Sequence, residues 1–171
     1  MFQEIKSKLN DMSTVKRLCE RAEAHALQDH QREPGAEHFL LAALDLPDGT
    51  ARLAFERAGV EPEALRAAIE RQYGDALRSI GLRAEMPTGT PMSANAGIHQ
   101  AAPSGREIMQ ALAAARKGHS PLLGAHVVGI VAGMSHGVAA RALRALGVDI
   151  ITLKSTADAI AEVGHAKTFD R

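Results

Sequence analysis

An all-α protein of about eight helices, built as two four-helix repeats related by a pseudo-twofold axis, is the fold class this sequence predicts. Three observations predict it. Segments 88 positions apart align without a gap, with identities at Ala26/Ala114, His38/His126, Gly49/Gly137, Ala51/Ala139, Ala54/Ala142, Gly59/Gly147, Val60/Val148 and Leu65/Leu153. A self-match at one fixed offset marks a duplicated supersecondary unit. Apolar residues recur at helical spacing, and no stretch alternates in the β-branched pattern of a strand. Aromatic residues are only 3% of the chain, which leaves leucine, alanine, valine and isoleucine to make a core of closely approaching helices. The joint between the two copies is the expected place for a ligand.

The elements follow in order. Residues 1–12 read as a polar extension outside the duplication, and Val15, Leu18, Cys19, Ala22 and Ala26 set a first helix over Thr14 to His30. Pro34-Gly35 breaks the chain, and a second helix, about Ala36 to Leu46, places Phe39, Leu40, Ala43 and Leu44 on one side. Asp48-Gly49-Thr50 supplies a turn and a cap for a short third helix through Ala58, stopped by Gly59, which tolerates the left-handed conformation at a helix end. Pro62 opens a fourth helix with Leu65, Ala68, Ile69 and Leu77 as its apolar side.

Residues 82–103 change composition to Pro, Gly, Ala, Ser, Thr and Met and read as a linker, with Pro87, Gly89, Pro91 and Gly97 scattered through it. Ser104-Gly105-Arg106-Glu107 fits a capping box that starts the second set of helices. These run from about Ser104 to Lys117, Gly124 to Met134, Gly137 to Ala145 and Asp149 to Val163. The organisation is therefore an extension (1–12), a first repeat (13–81), the linker (82–103), a second repeat (104–163) and a tail (164–171).

At 171 residues, with 46% apolar and 23% charged residues, the chain is long enough to bury a core of its own. Acidic and basic residues balance at 20 each, which removes the electrostatic reason to expect nucleic acid or an anionic membrane as partner. The apolar run Leu122 to Met134 contains His126 and falls short of the ~20 residues a membrane-spanning helix needs, so it reads as a core helix. The opening Met1-Phe2-Gln3-Glu4-Ile5-Lys6 is not that of a secretory signal. Cys19 is the lone cysteine, which excludes an intrachain disulfide and a cysteine-based zinc site; it reads as a small buried hydrophobe in a cytoplasmic protein. The excess of arginine over lysine, with abundant alanine, suggests a high-GC bacterial source.

Gly35-Ala36-Glu37-His38-Phe39-Leu40-Leu41 at the start of the second helix and Ala58-Gly59-Val60 at the end of the third resemble the N-terminal repeat domain of the Clp/Hsp100 ATPases, the ClpC branch most of all. The second repeat carries the signature again, as Lys117-Gly118-His119-Ser120, then His126, then Gly137 through Gly147-Val148. The resemblance spans about Val15 to Val163. It implies a helical module that recognises client proteins, adaptors or regulators for an ATP-driven unfoldase. No G-x-x-x-x-G-K-[S/T] segment occurs in the sequence, so a domain without the AAA+ motor, and without ATP hydrolysis, is expected.

In ClpC-like domains the glutamate of this signature contributes to a pocket for arginine-phosphorylated protein. The resemblance places that role on Glu37, whereas the aligned position of the second repeat is Ala125, which cannot accept a guanidinium hydrogen bond. A carboxylate in a first helical turn also complements the helix dipole, and both roles are open to Glu37. Gly35, His38, His126, Gly59 and Gly147 stand as the structural signature, the two histidines as rings packed at helix starts. No carboxylate or second histidine recurs beside both at ligand spacing, so no metal is expected. Some relatives bind cyclic-peptide antibiotics through a phenylalanine near the start, but Phe2 lies about six residues off the matching position. Met86 and Met92 offer an adaptable apolar surface in the linker.

The functional expectation is a non-catalytic protein- or peptide-binding module of the Clp chaperone–protease system, holding substrates or adaptors or acting as a decoy for a ClpC-type ATPase. The alternative is a protein that sequesters or senses a small molecule such as a cyclic-peptide antibiotic. No nucleophile–base pair or paired-carboxylate spacing stands out, so no catalytic residue and no cofactor are expected.

Overall fold

The computed structural model describes residues 2–82, 100–116 and 121–169. The linker residues Met86, Pro87, Gly89, Pro91, Met92 and Gly97 and the signature residues 117–120 lie outside them. Eight helices are described and no strand: α1 (Phe2–Gln28), α2 (Ala36–Leu44), α3 (Thr50–Arg57), α4 (Ala64–Ser79), α5 (Pro103–Arg116), α6 (Gly124–Ala132), α7 (Val138–Ala145) and α8 (Ile150–Phe169). The 88-residue offset carries α2 onto α6 and α3 onto α7 with both ends in register.

α1 differs from expectation in being one continuous helix of 27 residues that runs straight through the extension. No glycine or proline interrupts residues 2–28, so nothing stops the helix. The extension is also tied to the body. Asp11 is buried, accepts the Leu122 N–H at 2.8 Å and lies 3.6 Å from the Arg116 guanidinium, so it holds the approach to α6. His30, in the left-handed region at φ 56°, turns the chain out of α1, and the Gln31 N–H bonds back to the Ala26 carbonyl at 2.8 Å.

α2 and α6 form the centre. Every residue of α2 and all of α6 except Ile130 is buried, and the two helices pack on each other. Around them the packing is exchanged: α3 rests on α8 and on α6, while α4 rests on α7 and α7 on α2. This reciprocity is what a pseudo-twofold relation requires. A single cluster of buried side chains, from Leu18 through Phe39, Phe55 and Leu65 to Val128, Leu143 and Leu153, draws on both repeats. The α2–α6 joint is thus filled with core, and the cavity described below lies within the second repeat.

Burying the starts of α2 and α6 leaves amides that water cannot reach, and each repeat supplies acceptors for the other. The Ser104 hydroxyl of α5 accepts the Ala36 N–H at 3.1 Å. Asp48 Oδ2 accepts the Gly124 N–H at 3.1 Å, and Thr50 Oγ1 accepts the Ala125 N–H at 2.9 Å. The capping box expected at Ser104 does not form, because α5 already begins at Pro103, a residue suited to the first helical position, and Ser104 lies inside the helix. Gly59 and Gly147 take the left-handed conformation after α3 and α7, at φ 74° and 71°.

Close approach sets a further requirement at Gly105. A Cβ there would overlap the Pro34 carbonyl oxygen and stand 3.0 Å from the Phe39 ring. Gly105→Ala should therefore lower stability by about 1–3 kcal/mol, the cost of overpacking a tight site. Gly74→Ala, on α4 with only the Arg78 guanidinium 3.9 Å away, should raise it by roughly 0.5–1 kcal/mol through helix propensity. Urea unfolding followed by circular dichroism reads both.

Candidate functional site

His38 sits at the third position of α2, and its Nδ1 accepts the N–H of Gly35, the residue that caps the helix, at 2.9 Å. Accepting at Nδ1 fixes the tautomer, so Nε2–H donates to Asp29 Oδ2 at 3.2 Å. Asp29 Oδ1 in turn accepts from Arg66 of α4 at 2.9 Å. The same guanidinium donates to Gln28 Oε1 at 3.0 Å and to His25 Nδ1 at 2.7 Å, and His25 Nε2–H reaches Asp45 Oδ2 at 2.8 Å. A run of polar contacts thus joins the end of α1, the start of α2 and the first turn of α4. Burial pulls the Asp29 carboxyl upward, but the His38 hydrogen bond and the Arg66 charge outweigh it and hold it below its ordinary value.

Glu37 is buried and occupied. The Tyr73 hydroxyl of α4 donates to Glu37 Oε1 at 2.5 Å, and His38 Nδ1 lies 3.7 Å from the same oxygen. The carboxylate folds back over Gly35, where a Cβ would sit 2.7 Å from Oε1, so glycine at 35 makes room for it. Burial first, and then the Glu37 hydrogen bond and charge, push the Tyr73 phenol far above its usual range, so it remains a donor. The Tyr73 ring also stacks on His38, with centroids 6.4 Å apart and planes 17° from parallel.

The second repeat keeps the histidine and changes its surroundings. His126 Nδ1 accepts the Leu123 N–H at 3.0 Å, the same arrangement as in α2. The counterparts of Glu37, Tyr73 and Arg66 are Ala125, Ala161 and Lys154. Ala125 carries no acceptor, and its amide is served by Thr50 from the other repeat. Lys154 turns to Asp158 on its own helix at 2.7 Å. A cavity of about 500 Å³ opens between α5, α6 and α8, with His126 and Ala161 on its wall.

Gly59 and Gly147 stand at the ends of α3 and α7, away from these contacts. Cys19 is half-buried against the core, less enclosed than expected, and burial followed by Glu23 and Glu20 pushes its thiol up, which leaves little thiolate to act as a nucleophile. Phe2 begins α1. No group of three or more metal-ligating side chains gathers among the described residues, and no described helix is long and apolar enough to cross a membrane. Sequence reasoning missed Asp29, Arg66 and Tyr73. The signal available was Tyr73 itself, the lone tyrosine, half-way along an amphipathic helix that has no counterpart tyrosine in the other repeat.

Asp29 makes stability depend on pH. Its folded form binds a proton more weakly than the unfolded carboxyl at 3.8, so its contribution is complete above that value and drains away as pH falls through the lower folded value. Asp29→Asn should cost about 1–3 kcal/mol at pH 7, by leaving Arg66 and His38 without their shared acceptor, and the gap from wild type should narrow below pH 4. Urea melts at pH 7 and pH 3 measure the difference.

Residues 13–95 match the family described as Clp repeat (R) N-terminal domain, which covers α1 from its second half through α4. No curated protein matches the chain. α5 to α8 lie beyond that match and are joined to it by the 88-residue self-similarity and by the same histidine cap at His126. On this match and the all-helical architecture, residues 13–95 belong to the Clp repeat N-terminal domain family, a module of the Clp system.

Proposed function

We propose that this domain binds segments of client or adaptor proteins for a Clp ATPase, delivering them or withholding them as a decoy, and that Glu37 is the acceptor for the guanidinium of an arginine-phosphorylated segment. The observation that carries the reading is the Glu37–Tyr73 contact. A carboxylate at the first turn of α2 is held by a neutral phenol on a half-buried side chain, so the occupant is one that a charged ligand can displace. The phenol gives the carboxylate one hydrogen bond, whereas a guanidinium gives it two parallel charge-assisted bonds and a full opposite charge, so the exchange favours the ligand. Ala125 offers nothing comparable, which limits this mode to one site per chain.

The rest of the constellation supports binding over chemistry. His38, Asp29, Arg66 and His25 are all spent on one another, which stiffens the frame around Glu37 and leaves no base poised beside a nucleophile. Titration with a phosphoarginine peptide tests the proposal. Glu37→Ala should weaken binding by at least tenfold, and Tyr73→Phe, which keeps the ring and removes the competing hydroxyl, should tighten it several-fold. An affinity indifferent to Glu37→Ala would remove this residue from the site.

A further inference from the structure

The two repeats share a histidine cap but fill the space beside it differently, and the difference defines a second site. In the first repeat the Tyr73 ring lies over His38, with Leu41 buried nearby and Leu27 partly buried. The counterparts in the second repeat are Ala161, Gly129 and Ala115, and all three line the cavity of about 500 Å³ between α5, α6 and α8. One of these truncations is absorbed by closer packing: α8 draws onto α6 at Gly129, where a Cβ would stand 2.6 Å from Asp158 Oδ1. The other two are not absorbed, since no described helix covers the face that α5 and α8 turn toward each other.

We infer that this cavity receives an aromatic side chain of a protein partner, laid over the His126 ring as Tyr73 lies over His38. The sister repeat is the template for the occupant: a planar ring, half-buried, stacked on an imidazole and packed against the apolar core. Stacked aromatic pairs add to the burial of the ring itself. The template also sets a preference. Tyr73 needs Glu37 to accept its hydroxyl, and the counterpart Ala125 accepts nothing, so the cavity favours phenylalanine over tyrosine.

The rim selects the flanking residues. Glu107 of α5 and Glu162 and Asp158 of α8 stand around the opening with Lys154, and only Asp158 has a lysine partner among the described residues. The excess of negative charge fits a partner segment whose aromatic residue is flanked by lysine or arginine. This inference rests on the reading of the domain as a protein-binding module, but the site is separate from Glu37 and is tested separately.

The test is an NMR titration with the peptide acetyl-Lys-Phe-Lys-amide, following the His126 ring and the Gly129 amide. Ring-current shifts at both, with binding at least tenfold weaker for acetyl-Lys-Ala-Lys-amide and for acetyl-Glu-Phe-Glu-amide, are expected. Ala161→Tyr should fill the cavity from within and abolish the shifts; Ala115→Leu, at a less enclosed position, should weaken them several-fold if the tyrosine variant does not fold. The peptide shifting residues elsewhere, binding the alanine analogue equally well, or binding undiminished to the filled variants would overturn the inference. Phosphoarginine affinity should be unchanged in Ala115→Leu, so loss of either site leaves the other standing.

Discussion

The structure depends on satisfying the buried amides at the starts of α2 and α6. These helices are enclosed on almost every side, so the N–H groups of their first turns cannot turn to water, and an unpaired buried donor costs on the order of 1–3 kcal/mol. Neither cap residue can help, because Gly35 and Leu123 have no side-chain acceptor. Two solutions operate together. A histidine three residues on reaches back to the cap N–H in each repeat, and Ser104, Asp48 and Thr50 reach across from the opposite repeat. Each half thus completes the other, which is why the two copies share one core and are not two beads on a string.

With the frame set by that requirement, the surroundings of the two histidines were free to differ. Around His38 a carboxylate, a phenol and a guanidinium converge and consume one another. Around His126 the same positions hold alanines and a lysine paired within its own helix, and α8 lies closer to α6 than α4 does to α2. One repeat spends its side chains on closing its groove; the other leaves part of that groove open. Duplication makes this divergence inexpensive, since the capping histidine alone preserves the helix start while the neighbouring positions change.

Much of this was readable from the residues. The gapless match at an offset of 88 set α2 against α6 and α3 against α7, because His38, Gly49 and Gly59 recur as His126, Gly137 and Gly147 at the same places in the second copy. The family match over residues 13–95 agrees with the resemblance drawn from Glu37-His38 and Gly59-Val60. What stayed hidden were partnerships across sequence distance: Ser104 with Ala36, 68 positions apart, Asp11 with Leu122, 111 apart, and Tyr73 with Glu37, 36 apart. Local rules assign a serine before a helix to its own amides and a charged extension to solvent. Tertiary burial overrode both, since an acceptor goes where an enclosed donor has no other choice. The cavity was hidden for a related reason: alanines and glycines in α5, α6 and α8 read as close packing, and they deliver it at Gly129 but not at Ala161 or Ala115.

The same arrangement fits the proposed recognition better than it would fit a reaction. Catalysis needs a titratable group with its lone pair or proton uncommitted and aimed at a substrate. Here the polar groups around the start of α2 serve as acceptors and donors for the frame: His38 holds Gly35, Asp29 is held below its usual range by His38 and Arg66, and Tyr73 is locked as a donor. Their energies are bound up with folding. Recognition makes the opposite demand, a rigid body with a few contacts that can be exchanged for a partner's, and rigidity is what the crossed caps provide. A ligand that displaces Tyr73 from Glu37, or a ring that enters beside His126, finds a surface already organised by interactions it need not break, so little ordering is left for binding to accomplish.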